Sequence, residues 1–384
     1  MEIKQIYDIV NTTTSEILGD SVVVNEDLSN VVDVGDAVFN ASAFDAYVKS
    51  LVNQIGRIVF VNRPYRGSAP SVLMDDWEYG SVLEKICSEM PIATENESWE
   101  LNDGESYDPH IFHQPKAEAK FYNKMTTFEI DQSITERQVK QSFQSASQLN
   151  AFISMLFNEV EKAMTVRTDA LVMRTINTMT AETLYNAFNG NPTTAAGNAR
   201  AVNLLALFNT QYEKTLTAAQ ARLDPDFIRF AAYMMGLYTD RLTRMSTLFN
   251  VGGKQRFTPK DLLHVVMLSE FASAADVFLQ SDTFHDEYTK LANAERVPFW
   301  QGTGSNYDFS ETSKIMCTTP SKHTVTASGI LCVMFDRDAL GVNGYNSRVT
   351  TQYNAKAEFT NYFYKKDARY FNDLNENFVA FYIA

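Results

Sequence analysis

Apolar positions near the start of the chain recur at helical steps. Ile3, Ile6, Tyr7 and Val10 predict one face of an amphipathic helix. Asn40 predicts the cap of a second helix, with Phe44, Tyr47, Val48, Leu51 and Val52 along one side. The valines at 22–24 and 31–34 read as extended. Residues 57–62 (RIVFVN) are β-prone and end at the Arg63-Pro64 turn. Residues 77–90 predict a short helix, and 91–115 an acidic loop bounded by prolines. Residues 116–131 (KAEAKFYNKMTTFEID) read as extended. Strands at 57–62 and 119–130 would then bracket a long stretch with little structure, which is uncommon unless it has a use. The pattern predicts a two-stranded arm projecting from a body.

The period then changes to that of a very long helix, from Ser133 to about Ala187. Ser133 and Glu136 fit a capping box, and Ser145 and Gln148 fit a second. Leu149, Phe152, Ile153, Leu156, Val160, Ala163 and Met164 form a stripe, predicted to be the core side of this helix. It continues more loosely through Leu171, Met173, Ile176, Met179 and Leu184. At 1.5 Å per residue, residues 146–187 would span roughly 60 Å. Asn189, Gly190 and Pro192 end it. Helices are predicted over 199–221 and over 225–249, the latter with Asp224 as its cap and Pro225 in its first turn. Further helices are predicted from Thr258-Pro259 and over 282–291. Residues 262–279 carry mixed signals. Strands are predicted over 314–319, 324–335, 348–353, 358–364 and 377–383. Helices and strands mix without βαβ alternation, so the expected class is α+β.

The 384 residues carry a formal net charge of −14, which argues against a protein that grips duplex DNA. Residues 1–50 hold nine acids against Lys4 and Lys49. Three scattered cysteines, Cys87, Cys317 and Cys332, predict reduced thiols rather than a disulfide framework. No apolar run approaches the ~20 residues of a membrane span. The N-terminus lacks the apolar core of a signal peptide, so a soluble protein without export is expected.

Candidate chemistry is sparse. His110 and His113 lie near Asp108, but Pro109 interrupts the segment and a solvated loop is the plainer reading. Gly302 and Gly304 lack the third glycine of a dinucleotide fingerprint, since Tyr307 stands there. Gly253-Lys254 is not a P-loop, because Gln255 stands in place of Ser or Thr. Asp336 and Asp338 flank Arg337 and read as a structural ion pair. The aromatic residues of 353–382 read as strands closing a core or an interface rather than as a base-stacking surface. No catalytic, cofactor or metal site is expected.

The order of parts nevertheless resembles a known family. The residues concerned are 51–60 (LVNQIGRIVF), 115–128 (PKAEAKFYNKMTTF), 133–143 (SITERQVKQSF) and 148–153 (QLNAFI). Near the end they are 335–340 (FDRDAL), Arg348, Tyr353-Asn354, 359–362 (FTNY) and 375–381 (NENFVAF). Together they resemble the major capsid protein of tailed bacteriophages with the HK97-like fold, most of all that of small short-tailed (podovirus) phages. The resemblance implies an N-terminal arm and lead-in over 1–55 and an extended loop over 56–130. It implies a peripheral domain over 131–197 and 335–384, and an axial domain over 198–334. It implies a non-enzymatic coat protein that forms pentamers and hexamers of an icosahedral shell around double-stranded DNA. Its partners would be itself, a scaffold protein and a portal, with no membrane. It would be made in the host bacterial cytoplasm and reside in the virion. The basic residues Arg57, Arg63 and Arg66 of one loop are expected to meet Glu95, Glu97, Glu100, Asp103 and Glu105 of a neighbour. The shell protein of a bacterial nanocompartment, encapsulin-like, is the second reading. A cytoplasmic enzyme or ligand-binding protein is the third.

Overall fold

The computed structural model describes residues 3–19, 24–26, 29–40, 46–47, 50, 83–88, 90–91, 93, 103, 110–112, 114, 116–135, 137, 146–280, 295–300, 314–319 and 321–384. The body is organised on a five-stranded sheet. Its middle strand is β9 (Ile330–Asp336), flanked by β12 (Phe378–Tyr382) and β5 (Leu263–Leu268), with β4 (Ala201–Asn203) and β6 (Glu295–Val297) outside them. β9 and β12 are buried at every position. That is why they read as unbroken apolar runs, ILCVMF and FVAFY, rather than as alternating patterns. β9 runs antiparallel to both neighbours, with Phe378 opposite Phe335 and Val266 opposite Val333.

The long helix α3 (Ala146–Phe188) follows α1 (Ile3–Leu18) and α2 (Val31–Asn40) in the chain. Its 43 residues extend about 65 Å. Leu171, Val172, Met173, Ile176, Met179, Ala181 and Leu184 are all buried, on every side of the helix. A helix that is buried all round lies inside a core. This explains why the predicted stripe loosens after Met164. The helix is enclosed there by β12, by β7 (Ile315–Thr318) and β8 (Thr324–Ala327), and by a second sheet. Thr168, Thr175, Thr178 and Thr180 fit because each hydroxyl donates to the carbonyl four residues back, as Thr175 does to Leu171 at 2.8 Å and Thr180 to Ile176 at 3.0 Å. Asn189, at φ 52°, ends it, and the Gly190 amide donates to the Tyr185 carbonyl.

The second sheet has the order β10 (Leu340–Asn354), β11 (Phe359–Asn372), β3 (Met125–Thr135) and is antiparallel throughout. Against the first, α4 (Leu204–Gln211), α5 (Ala218–Ala221), α6 (Pro225–Leu242) and α7 (Ser269–Gln280) complete the body. The predicted cap of α6 is present: the Asp224 carboxylate accepts from the Phe227 amide at 2.9 Å, behind Pro225. α6 buries Phe227, Ile228, Phe230, Ala231, Met235, Tyr238 and Leu242, and the Tyr238 ring meets Phe381 edge-on at 5.1 Å. The aromatic residues near the C-terminus are mostly core: Tyr362, Tyr364, Phe371, Phe378, Phe381 and Tyr382 are buried. Cys317 and Cys332 are buried free thiols.

Several local expectations are corrected. Residues 31–34 are helical, not extended, because Val34 faces inward and its amide bonds to Asn30. Asn40 is the last residue of α2, and in the helix predicted to follow it residues 46, 47 and 50 are helical, with Tyr47 buried. Residues 83–88 form strand β1 (Leu83–Ser88) instead of a helix, because they pair with β2 (Ala117–Tyr122). Ser133 caps nothing. It lies in β3, opposite Asn361, and its hydroxyl donates to that side chain at 2.6 Å. Pairing with β11 outweighs the local capping signal there, and α3 itself starts just after Ser145, at the second of the predicted capping boxes. The stretch 199–221 is a short strand and two short helices. α6 stops at Leu242, and a turn bridged between Ser246 and Arg256 follows. No helix starts at Thr258, whose amide donates to Leu242. The predicted 324–335 strand divides at Gly329, where a Cβ would stand 2.1 Å from the Ile383 carbonyl. The predicted elements at 57–62 and 282–291 lie outside the described residues.

Phe381→Ala should cost the unassembled subunit about 3–5 kcal/mol, read from urea denaturation midpoints. Leu223→Ala, at an exposed position, should stay within about 0.5 kcal/mol of wild type.

Candidate assembly surfaces

Side chains that stand opposite each other in an antiparallel pair share a face. In the β1–β2 hairpin, Leu83, Lys85 and Cys87 stand opposite Tyr122, Lys120 and Glu118. On the other face, Glu84, Ile86 and Ser88 stand opposite Phe121, Ala119 and Ala117. The first face is charged and meets the protein's own body. Lys85 Nζ lies 3.0 Å from Asp373 Oδ2 and 2.8 Å from Glu376 Oε1. Lys120 Nζ lies 3.2 Å from Asp373 Oδ1. Arg256 Nε reaches Glu376 Oε1 at 3.1 Å, and Lys254 Nζ reaches Glu118 Oε1 at 3.1 Å. The Tyr122 ring packs on Phe371 at 5.2 Å. The acids come from the 373–377 turn between β11 and β12. That turn is fixed by backbone bonds from Gly252 to Leu374 and from Phe378 to Phe249.

The Asp373 side chain has 0% exposure. Burial alone would raise its pKa, but the Lys85 charge, the Asn375 amide and Lys120 outweigh burial and hold it below the ordinary carboxylate range. Burial alone would lower the Lys85 pKa, but Glu376 and Asp373 outweigh burial and raise it. The outer face holds two large apolar side chains in the open. Ile86 is 69% exposed and Phe121 63%. Met90, Ile111, Phe112 and Met125, near the hairpin in sequence, are exposed as well.

Of the expected contact residues, Asp103 is an exposed turn residue. Arg57, Arg63, Arg66, Glu95, Glu97, Glu100 and Glu105 lie outside the described residues. Val160 is buried on α3, while Leu149, Phe152, Ile153 and Leu156 lie in the same helix with side chains outside the described set. His110 is exposed in a turn, and His113, Asp108, Gly302 and Gly304 lie outside the described residues. Among the described residues no group of three His, Cys, Asp or Glu side chains could hold a metal ion. No described helix is long and apolar enough to cross a membrane. Asp336 is buried and accepts from the Asp338 amide at 2.9 Å, which makes it a turn-closing group. Sequence reasoning missed Lys85, Lys120, Asp373 and Glu376. Their pairing spans more than 250 residues, and the acidic turn 373–377 (DLNEN) between two aromatic strands was its only local trace.

Asp373→Asn should free the hairpin from the body. A charge-assisted hydrogen bond contributes about 1.5–3 kcal/mol. Amide hydrogen exchange at 83–88 and 117–122 should therefore accelerate about tenfold or more. The folded Asp373 pKa lies below its unfolded value, so its contribution is complete above about pH 4 and is lost as pH falls through the folded value. The raised Lys85 pKa gives a contribution complete below about pH 10 and lost as pH rises through the folded value. Exchange in the hairpin should thus be slowest relative to the body between these limits and accelerate first in acid.

Known proteins give this arrangement a context. A chain in the capsid structure of Staphylococcus phage Andhra shares the fold at a TM-score of 0.50 and 11% identity, over 84% of this chain and 86% of that one. A chain in the structure of the head fiber and inner core protein gp22 of native bacteriophage P68 also gives 0.50, at 8% identity, over 82% of this chain and 83% of that one. No curated protein sequence matches. The family model for the Phi29-like phage major capsid protein matches residues 10–382. The fold is therefore the expected α+β, HK97-like capsid fold, and the matched family is that of a phage coat rather than a nanocompartment. The chain belongs to the Phi29-like phage major capsid protein family, a structural family, and is a coat protein that assembles with itself into the icosahedral shell of the virion.

Proposed function

We propose that the β1–β2 hairpin is the arm by which one coat subunit holds the next. Its charged face stays on its own body, and its apolar face, with Ile86 and Phe121, packs on a neighbour. The observation that carries this reading is the division of the two faces. A soluble subunit gains nothing from holding two large apolar side chains, Ile86 and Phe121, in the open while Lys85 and Lys120 face inward. Burying each of these two side chains contributes about 1.5–3 kcal/mol. Repeated at every contact of a shell, that is ample for assembly.

In this reading the chain divides as the resemblance implies: 1–55 arm and lead-in, 56–130 extended loop, 131–197 with 335–384 peripheral domain, and 198–334 axial domain. The subunits form pentamers and hexamers, with a scaffold protein and a portal as assembly partners. They enclose double-stranded DNA without gripping it, consistent with the net charge of −14. Synthesis takes place in the host bacterial cytoplasm. Beyond the hairpin, Arg57, Arg63 and Arg66 of one loop meet the acidic run Glu95, Glu97, Glu100, Asp103 and Glu105 of another.

Ile86→Asp with Phe121→Asp should leave the melting curve of the unassembled subunit unchanged and abolish shells in electron micrographs. Shells at wild-type yield would contradict the proposal. Reversing the charges of Arg63 and Arg66 should weaken assembly and flatten its dependence on salt. An unchanged salt response would remove the charged loop contact while leaving the apolar one in place.

A further inference from the structure

The enclosed half of α3 has one opening. From 168 to 184 every residue is buried except Arg174 and Thr178. At either end of this stretch Arg167 is exposed and Tyr185 partly exposed. Steps of seven, four and seven residues put these four side chains on one stripe of the helix, about 27 Å long. Two acids lie in the same stretch, Asp169 and Glu182, and both are buried. The open stripe therefore carries positive charge only, on a chain whose net charge is −14.

These groups are held in place. The Arg174 guanidinium sits over the Tyr370 ring of β11, with Cζ 5.0 Å from the centroid. At the far end of the stripe the His323 ring stacks on Tyr185 at 4.1 Å, with the two planes 9° apart. The Ser321 hydroxyl donates to Glu182 Oε1 at 2.7 Å. Both contacts fix the turn between β7 and β8 against the helix, where Lys322 is exposed. Among the described residues no carboxylate pairs with Arg167, Arg174 or Lys322. Other exposed cations, such as Lys214, Lys260 and Arg296, each meet one, in Asp226, Asp240 and Asp276.

Covering the Tyr370 ring does not require a charge, since methionine or leucine would cover it as well. A guanidinium stacked on a ring keeps its fork of donors free at the edge, a geometry that suits phosphate. Cations and rings set along one straight line suit a linear polyanion. An acidic protein segment would also need apolar anchors, and the stripe offers no open aliphatic side chain. We propose that this stripe is where each coat subunit meets the phosphates of double-stranded DNA, through Arg167, Arg174 and Lys322. Three contacts per subunit do not grip a duplex against the repulsion of the remaining charge. They decide which face of the subunit the duplex lies against. The inference rests on the reading that the shell encloses DNA.

Binding of unassembled subunits to a short fluorescent DNA duplex, followed by anisotropy as salt is raised, tests it. Wild-type affinity should fall about 40-fold between about 50 and 200 mM salt, the loss expected for three phosphate contacts. Arg167→Gln and Lys322→Gln, both at exposed positions, should each reduce that fall to about 12-fold and leave subunit melting unchanged. Arg174→Met should do the same while still covering Tyr370, and the two exposed variants decide the matter if it impairs folding. A salt dependence unaltered in Arg167→Gln and Lys322→Gln would overturn the proposal. So would wild-type subunits that leave the duplex unbound at the lowest salt. Tighter binding to polyglutamate than to the duplex would overturn it as well, and would assign the stripe to an acidic protein segment. Purified shells that hold no nuclease-protected duplex would instead overturn the reading beneath it.

Discussion

A carboxylate with no exposure to water has to be neutralised by the protein, and the lysines that neutralise Asp373 come from the hairpin. Breaking such a pair leaves an uncompensated charge in a poor solvent. The orientation of the hairpin follows from that constraint. With Lys85 and Lys120 turned inward, strand geometry turns Ile86, Ala119 and Phe121 outward. A one-residue change in the hairpin's register would exchange the two faces and place apolar side chains over the buried acid. The same electrostatic requirement thus fixes where the hairpin sits and which of its faces is left outward.

The acid is well placed for this because its turn is rigid. The 373–377 turn joins β11, a member of the three-stranded sheet, to β12, a fully buried strand of the five-stranded one. The enclosed half of α3 packs against both. Asn377 Nδ2 donates to Thr258 Oγ1 at 3.1 Å, which ties the turn to the segment after α6. Hairpin, long helix and α6 region therefore meet at one junction. A load applied to the hairpin passes into the two sheets rather than into a loose loop. That suits a subunit whose work is to hold neighbours in place.

Much of the fold could be read from the chain, for reasons visible in particular residues. The long helix, its end at Asn189, the Asp224 cap and the aromatic strands at the end are all local signals, and the structure keeps them. The failures have a common origin in tertiary pairing. Ser133 looked like a cap because the reading ended the strand too soon, and only its partner Asn361 shows that the strand continues. Residues 83–88 looked helical because the strand that claims them lies about 30 residues ahead. The proposed contact surface was harder still. Sequence reasoning looked for it in opposite charges on the loop, which lie almost wholly outside the described residues. Among the described residues, Lys85 and Lys120 of the hairpin face their own subunit, and its large exposed side chains are the apolar Ile86 and Phe121. Alternation in Leu83, Lys85 and Ile86 was too short to show which face a distant acid would claim.

Peptide-level thiol labelling of Phe121→Cys, in free subunits and in assembled shells, tests the central claim most directly. The account predicts rapid labelling in free subunits and strong protection in shells. Equal labelling in both would show that the outer face of the hairpin meets no neighbour, and would contradict the account.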